Sequence, residues 1–82
     1  MYQTIGEKVS VAGVYQQGKF SPRKILWGNR TYDIDQVTFI SDEKDGGVAK
    51  RTYSIMARGN VYRLAFNRST EIWTLMEVWY EG

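Results

Sequence analysis

Asp33 and Asp35 are the two side chains whose type and spacing best suit acid–base chemistry in this sequence. Residues i and i+2 of a strand point to the same side, so the two carboxyl groups would lie together. If Gly28-Asn29 forms a two-residue hairpin turn, however, Asp33 lies opposite Lys24 on a solvated face. The chain also contains no histidine and no cysteine, so the commonest general base, the thiol nucleophile and the usual zinc ligands are missing. The residues therefore predict no enzyme, no metal and no cofactor.

Residues 41–49 form the one long charged segment that also contains glycine. Its acidic side chains lack the ligand spacing and terminal glutamate of a calcium-binding loop. Gly46 and Gly47 are not followed by the lysine and hydroxyl residue of a phosphate-binding loop. We expect this segment to be a solvated loop and the most mobile part of the chain.

Five basic side chains cluster in and around one predicted hairpin: Lys50, Arg51, Arg58, Arg63 and Arg68. Small β-domains bind single-stranded nucleic acid by combining such cations with exposed rings that stack on bases. The formal net charge of +2 is too mild to decide the question. The alternative is a solvated face, neutralised by glutamates of the last predicted strand, which are Glu71, Glu77 and Glu81.

Trp79 and Tyr80 are candidates for a partner surface. Consecutive residues of a strand point to opposite sides, so one of these rings must face outward unless it is covered. An exposed ring beside an unpaired strand edge is a docking site for another protein or for a second copy in a homodimer. The alternative is that a tryptophan caps the open end of a barrel.

The length of 82 residues predicts a single domain, because a chain this short cannot build two cores. Twelve aromatic side chains supply the apolar area that its core needs. No apolar run approaches the ~18 residues of a membrane span. Residues 1–6 also lack the features of a signal peptide. We therefore expect a cytoplasmic protein that does not insert into membranes.

The chain divides into six extended runs separated by glycine, asparagine and aspartate: residues 8–15, 23–27, 30–40, 51–58, 61–66 and 71–80. No segment has a helical period. Gly28-Asn29 and Gly59-Asn60 each lie between alternating runs, and these residue types suit two-residue hairpin turns. Both pairs therefore predict tight hairpins.

A two-residue turn at Gly28-Asn29 predicts Trp27 opposite Arg30, Ile25 opposite Tyr32, and Lys24 opposite Asp33. A two-residue turn at Gly59-Asn60 predicts Arg58 opposite Val61, Ile55 opposite Leu64, and Tyr53 opposite Phe66. The second register places six apolar or aromatic side chains on one face: Tyr53, Ile55, Ala57, Tyr62, Leu64 and Phe66.

Three runs break their own alternation, between Val11 and Val14, between Ile34 and Val37, and between Leu75 and Val78. A one-residue slip of this kind indicates a β-bulge, which bends a strand, although strands with apolar residues on both faces are the alternative. We therefore predict five or six antiparallel strands in an SH3-like or OB-like barrel or a strongly bent sheet. Residues 1–7 and 81–82 are expected to fray.

Residues 25–34, with the pattern W-x-x-R-x-Y, resemble the hairpin signature of a family of small uncharacterised bacterial β-domains. The later Trp73-x-Leu75 run resembles the segment that closes those domains. Some members are encoded near, or joined to, translesion DNA polymerases, so the resemblance implies an accessory role beside a DNA-processing protein and no assigned activity. We expect a non-catalytic, nucleic-acid-associated binding module; the alternative is a protein-interaction or self-associating domain that uses an edge strand.

Overall fold

The structure is a computed structural model that describes residues 1–81, and these residues form one sheet of seven antiparallel strands. The strands are β1 (Tyr2–Gln16), β2 (Lys19–Trp27), β3 (Arg30–Asp33), β4 (Gln36–Asp45), β5 (Val48–Ala57), β6 (Asn60–Asn67) and β7 (Trp73–Trp79). Their order across the sheet is β3-β2-β1-β7-β6-β5-β4. The all-β prediction is confirmed. The sheet is not closed into a barrel, and it has more strands than the five or six expected.

The sheet bends along β1, which is shared between two halves. Residues 2–9 of β1 pair with β7, whereas residues 10–16 pair with β2. Because each half of β1 pairs on only one side, β2 and β3 can turn toward the remaining strands, with the two inner faces opposed. The largest fully buried side chains come from both halves: Ile25, Ile55, Leu64, Leu75 and Val78. The two halves therefore share one core.

The predicted strand bend is confirmed in β7. Its extra residue is Met76, because Glu77 faces Arg63 while Leu75 faces the next residue of β6, and a bulge of this kind produces the slip in alternation.

The bulge predicted between Val11 and Val14 is wrong. The register shift there comes from an extra residue of β2, Arg23, so β1 keeps its alternation. Val14 is exposed on the outer face, as in the alternative of a strand with apolar residues on both faces.

The third slip has a different origin. Residues 30–40, expected to be one strand, form β3 and β4 at opposite edges of the sheet. Ile34 and Asp35 connect them, and the Ile34 N–H donates to Arg23 O at 2.8 Å while the Asp35 N–H donates to Met56 O at 2.8 Å. The prediction of a single strand is wrong because a chain crossing between strands and a bulge both interrupt alternation. These two bonds fix the connection to β2 on one side and to β5 on the other, so the two edges of the sheet lie close together at this end.

The register of the first hairpin is confirmed, with Ile25 opposite Tyr32 and Lys24 opposite Asp33. The Lys24 Nζ lies 3.4 Å from Asp33 Oδ1, as an exposed ion pair. The first predicted hairpin thus has its predicted turn and faces.

The register of the second hairpin is wrong by two residues. Its turn is Arg58-Gly59, so Ile55 faces Tyr62. Arg58 adopts a positive φ of 51°, and its guanidinium lies 4.4 Å from the centroid of the Tyr32 ring and donates to Thr31 O. These contacts favour Arg58 in the turn. The predicted faces survive because a shift of two residues preserves the alternation of side chains.

Two segments predicted to be irregular are ordered strands. Residues 41–49 belong to a hairpin between β4 and β5 that turns at Gly46 and Gly47, which have φ values of 57° and 83°. Residues 1–7, expected to fray, pair along β7 from Tyr2 onward, and the terminal amine of Met1 donates to Tyr80 O. The expected loop over residues 41–49 is wrong, because cross-strand pairing with β5 orders most of its backbone; Gly82 lies outside the described residues.

Replacing Gly13 with alanine should destabilise the protein. A Cβ at this position would overlap the Ser21 carbonyl oxygen and the Phe20 ring, and overpacking of this kind costs about 1–3 kcal/mol. Urea unfolding of Gly13→Ala should therefore show a lower midpoint than the wild type. Gln16→Ala, at an exposed position of the same strand, is the control, and equal midpoints for the two variants would contradict the packing argument.

Candidate ligand-binding pocket

A row of directly opposed side chains crosses the inner face of the sheet at one end. Asp42 of β4 faces Arg51 of β5, Arg51 faces Phe66 of β6, and Phe66 faces Trp73 of β7. Opposed residues of antiparallel strands project to the same side, with Cβ atoms about 4.5–5.5 Å apart. The pairing of four strands thus sets a carboxylate, a guanidinium and two rings side by side.

The β1–β2 hairpin brings two further rings to this row. Tyr15 and Phe20 face each other across the hairpin, and their ring centroids are 5.0 Å apart. Phe20 in turn lies 5.8 Å from Trp73. The hairpin turn at Gln17-Gly18 has positive φ at both residues, which makes it tight. Two distant parts of the sequence therefore meet at Trp73.

Five rings and two arginines surround a cavity of about 190 Å³ at this meeting point. The rings belong to Tyr15, Phe20, Tyr53, Phe66 and Trp73, and the arginines are Arg51 and Arg68. The Trp73 centroid lies 4.8 Å from that of Phe66 and 5.3 Å from that of Tyr53, within the range of favourable aromatic packing. The cavity is thus an aromatic pocket with cationic side chains in its wall.

The two arginines share one carboxylate. Arg51 donates from Nε to Asp42 Oδ1 at 2.7 Å and from Nη2 to Oδ2 at 3.1 Å, while Arg68 Nη1 lies 3.9 Å from the same Oδ1. The hydrogen bond from Arg51 lowers the pKa of Asp42, and the same bond raises the pKa of Arg51. Two cations against one anion leave this group of three side chains with a net charge of +1.

The β6–β7 loop holds Arg68 beside the pocket through backbone and side-chain hydrogen bonds. The Arg68 N–H donates to Ala49 O at 2.9 Å, which ties the loop to β5. The Asn67 Oδ1 accepts from the N–H groups of Ser69, at 2.9 Å, and Thr70, at 3.1 Å. An asparagine that binds the backbone two residues ahead is a common device for ordering a turn. The loop geometry therefore positions this arginine.

The five predicted cations do not share one site. Arg51 and Arg68 line the pocket, whereas Lys50 points to the outer face, lies 3.6 Å from Asp45 and borders a neighbouring cleft together with Arg68. Arg63 is also on the outer face. Arg58 is at the opposite end of the sheet, over Tyr32.

The outer-face arginine is neutralised by two glutamates, of which one, Glu77, belongs to the three that the alternative interpretation of the sequence named. Arg63 lies 3.4 Å from Glu43 and 3.5 Å from Glu77. Two carboxylates flank one cation, so this part of the outer face has no positive excess. The predicted cation cluster is therefore not one continuous surface.

Trp79 and Tyr80 project to opposite sides, and Trp79 is the outward one. Its side chain is 51% exposed and packs 5.0 Å from the Tyr2 ring. Tyr80 is half-buried and its hydroxyl donates to Gln3 Oε1 at 3.2 Å. The expectation that they lie at an unpaired edge is wrong, because β7 pairs with β1 on one side and β6 on the other.

The carboxylate pair considered first does not form a site. Asp33 is exposed and bound to Lys24, and Asp35 is an exposed residue of the connection between β3 and β4. Across residues 1–81 no group of three or more histidine, cysteine, aspartate or glutamate side chains is arranged to hold a metal ion. The same residues contain no helix with the length and apolar character needed to cross a membrane.

The sequence analysis did not identify the rings of the pocket as site residues. The alternation of apolar residues predicted that Tyr53 and Phe66 share the apolar face of a hairpin, but it does not indicate which end of the sheet stays open. Tyr15 and Phe20 come from a hairpin whose position depends on the bend in β1. Only the assembled fold brings these rings to Arg51.

No protein-family model, curated protein or solved structure matches this chain. The resemblance to small bacterial β-domains therefore stays a prediction.

Removing the side-chain amide of Asn67 should loosen the loop that holds Arg68. Asn67→Ala deletes the acceptor of two backbone hydrogen bonds, and each such bond contributes about 0.5–1.5 kcal/mol. We expect a lower urea midpoint and faster amide hydrogen exchange at Ser69 and Thr70. Ser69→Ala leaves both bonds in place and is the control. Unchanged exchange in Asn67→Ala would show that the loop is ordered by other contacts.

Proposed function

We propose that this chain is a non-catalytic module that binds single-stranded nucleic acid, with one base against the pocket rings and a neighbouring phosphate at Arg68. The observation that carries the proposal is the combination of five rings and two guanidinium groups around one cavity. Base stacking on aromatic side chains and phosphate contacts from cations are the two interactions by which proteins bind single strands without reading sequence.

The shape of the pocket supports a flat, single-ring or fused-ring ligand. Its volume of about 190 Å³ is below the roughly 300–1,000 Å³ of pockets for drug-sized ligands. Tyr15 is largely exposed, so its ring is accessible to an incoming base. A base in a duplex is paired and stacked within the helix, so a pocket of this kind favours a single strand.

The electrostatics support an anion at Arg68. This side chain is half-exposed, and its 3.9 Å approach to Asp42 is longer than a hydrogen bond. Its guanidinium therefore keeps donors that a phosphate oxygen can accept. Arg51, by contrast, already forms a bidentate pair with Asp42. Arg68 is the natural first contact, with Arg51 behind it.

We further propose that the module works in the cytoplasm as an accessory to a protein that processes DNA. The lack of cysteine suits that reducing compartment, and the resemblance to domains encoded near translesion polymerases points to the same partner class. The lack of histidine and cysteine, together with the exposed positions of Asp33 and Asp35, supports a binding role without catalysis.

Tryptophan fluorescence should be quenched when a short single-stranded oligonucleotide is titrated, and the binding should weaken as salt is raised. Tyr15→Ala should weaken binding about tenfold, which corresponds to about 1.4 kcal/mol and falls within the range for one stacked base. Tyr2→Ala removes an exposed tyrosine from the outer face and is the matched control. A duplex of the same sequence should bind more weakly.

The arginines provide a second matched pair. Arg68→Ala should lower affinity and make the slope of log affinity against log salt shallower by about 0.7, the value for one phosphate contact on a single strand. Arg63→Ala, on the outer face, should change neither quantity appreciably. Absence of quenching by the wild type at low salt, or equal effects of the two arginine variants, would overturn the proposal.

Asp42 occupies the arginines that a phosphate would contact, so its removal should strengthen binding. Asp42→Asn frees Arg51 and removes a repulsive carboxylate from the pocket wall, and we expect affinity for the single strand to rise several-fold. Asp45→Asn gives the same change of net charge on the same strand, next to Lys50, and should raise affinity much less. Equal increases would show a general charge effect with no role for this pocket.

A further inference from the structure

The two edge strands of the sheet differ in how well they are protected against pairing with another chain. β3 has four residues, whereas β4 has ten. An unpaired edge presents a row of free N–H and C=O groups, and natural proteins protect such edges by keeping them short or placing charges along them. The short length of β3 is one such protection. β4 does not have it.

The first six residues of β4, residues 36–41, carry no charged side chain. Within them Phe39 is 64% exposed and Ile40 is 50% exposed. These two side chains point to opposite faces, because Phe39 faces Ser54 and Ile40 faces Tyr53 of β5. Apolar groups are therefore exposed on both faces of an unpaired edge.

The charges of β4 lie in its second half and are used within the chain. The three acidic residues bind cations of the same chain, in the pairs Asp42 with Arg51, Glu43 with Arg63, and Asp45 with Lys50. They therefore do not protect residues 36–41 from an approaching strand. They do limit which strand can approach, since it must place no acidic residue opposite them.

We propose that two copies of this chain associate through β4, with the two β4 strands antiparallel and Ile40 opposite the Ile40 of the second copy. Residues opposite each other in an antiparallel pair face the same side of the sheet. When two identical antiparallel strands are related by a two-fold axis, the axis must therefore pass beside one residue, which faces its own copy. An axis between two residues would set consecutive residues opposite each other, and these point to opposite faces. Phe39, Ile40 and Ser41 are the centres available in the uncharged segment beyond the bulge at Thr38.

Avoidance of like charges favours Ile40 as the centre. With this register Asp42 lies opposite Thr38 of the second copy and Lys44 lies opposite its Gln36, so no like charges face each other within residues 36–44. Asp45, the last residue of β4, lies opposite Asp35, which precedes the strand. The two Phe39 rings become diagonal neighbours, at a spacing that aromatic side chains can bridge. Centring on Ser41 would instead make the two Asp42 residues diagonal neighbours. Centring on Phe39 would bring the bulged Thr38 beside the axis.

Sedimentation velocity over a range of protein concentrations tests the association. The wild type should move from the monomer mass of 9.5 kDa toward twice that value as concentration rises. Ile40→Lys and Ile40→Glu should each stay monomeric, because two like charges would then face each other across the axis. Leu26→Lys, which places the same charge at a half-exposed apolar position on β2, should associate like the wild type.

Mixing the two Ile40 variants tests the register itself. Lysine in one copy and glutamate in the other would face each other as an ion pair, so an equal mixture should recover a dimer that neither variant forms alone. Recovery also shows that both variants are folded. A wild type that stays monomeric at every concentration, an Ile40→Lys variant that associates as tightly as the wild type, or a mixture that stays monomeric would overturn the proposal.

Discussion

β1 divides its length between two pairing partners, and this division shapes the core, the pocket and the edges of the sheet. Because its first half pairs with β7 and its second half with β2, one sheet supplies both walls of the core. A chain of 82 residues without cysteine has no disulfide to support a smaller core. Gly13 permits the close approach of β1 and β2, since a Cβ there would overlap the Ser21 carbonyl oxygen and the Phe20 ring.

The bend of the sheet along β1 also determines where the molecule has an opening and where its edges lie. The β1–β2 hairpin reaches across to Trp73, and the space between this hairpin and the row from Asp42 to Trp73 is the pocket. In the described residues β3 and β4 are the two edges and do not pair with each other; Ile34 and Asp35 connect them and bond to β2 and β5. The pocket and the free edge of β4 are thus two results of one incomplete closure.

Local patterns in the sequence predicted those features that depend on neighbouring residues. The turn at Gly28-Asn29 and the pairing of Lys24 with Asp33 are confirmed, because turn chemistry and side-chain alternation both act over a few residues. The predicted turn of the second hairpin was one residue too late, which shifted the register by two, because Arg58 takes a turn position stabilised by Tyr32, a residue far away in the sequence. Turn propensity alone carries no information about such a contact.

The candidate site was less predictable than the fold, because it depends on long-range pairing. Arg51 and Arg68 were identified as cations near the second hairpin, but their separation from Arg58 and Arg63 follows from which face each strand turns inward. The strand break after Asp33 was read as a bulge, and this hid the fact that β4 is an edge. A list of basic residues in one hairpin therefore could not reveal a pocket formed by residues from five strands and a loop.

The three tryptophans report on three separate regions of the molecule, so their indole N–H signals show directly where a single strand binds. Trp73 lies in the pocket, Trp79 lies on the outer face, and Trp27 lies in a cleft with Arg30 at the other end. In a proton–nitrogen correlation spectrum of labelled protein, adding a single-stranded oligonucleotide should shift the Trp73 indole signal and leave the other two in place. A spectrum in which Trp73 does not move, or in which Trp79 or Trp27 moves instead, would contradict the account.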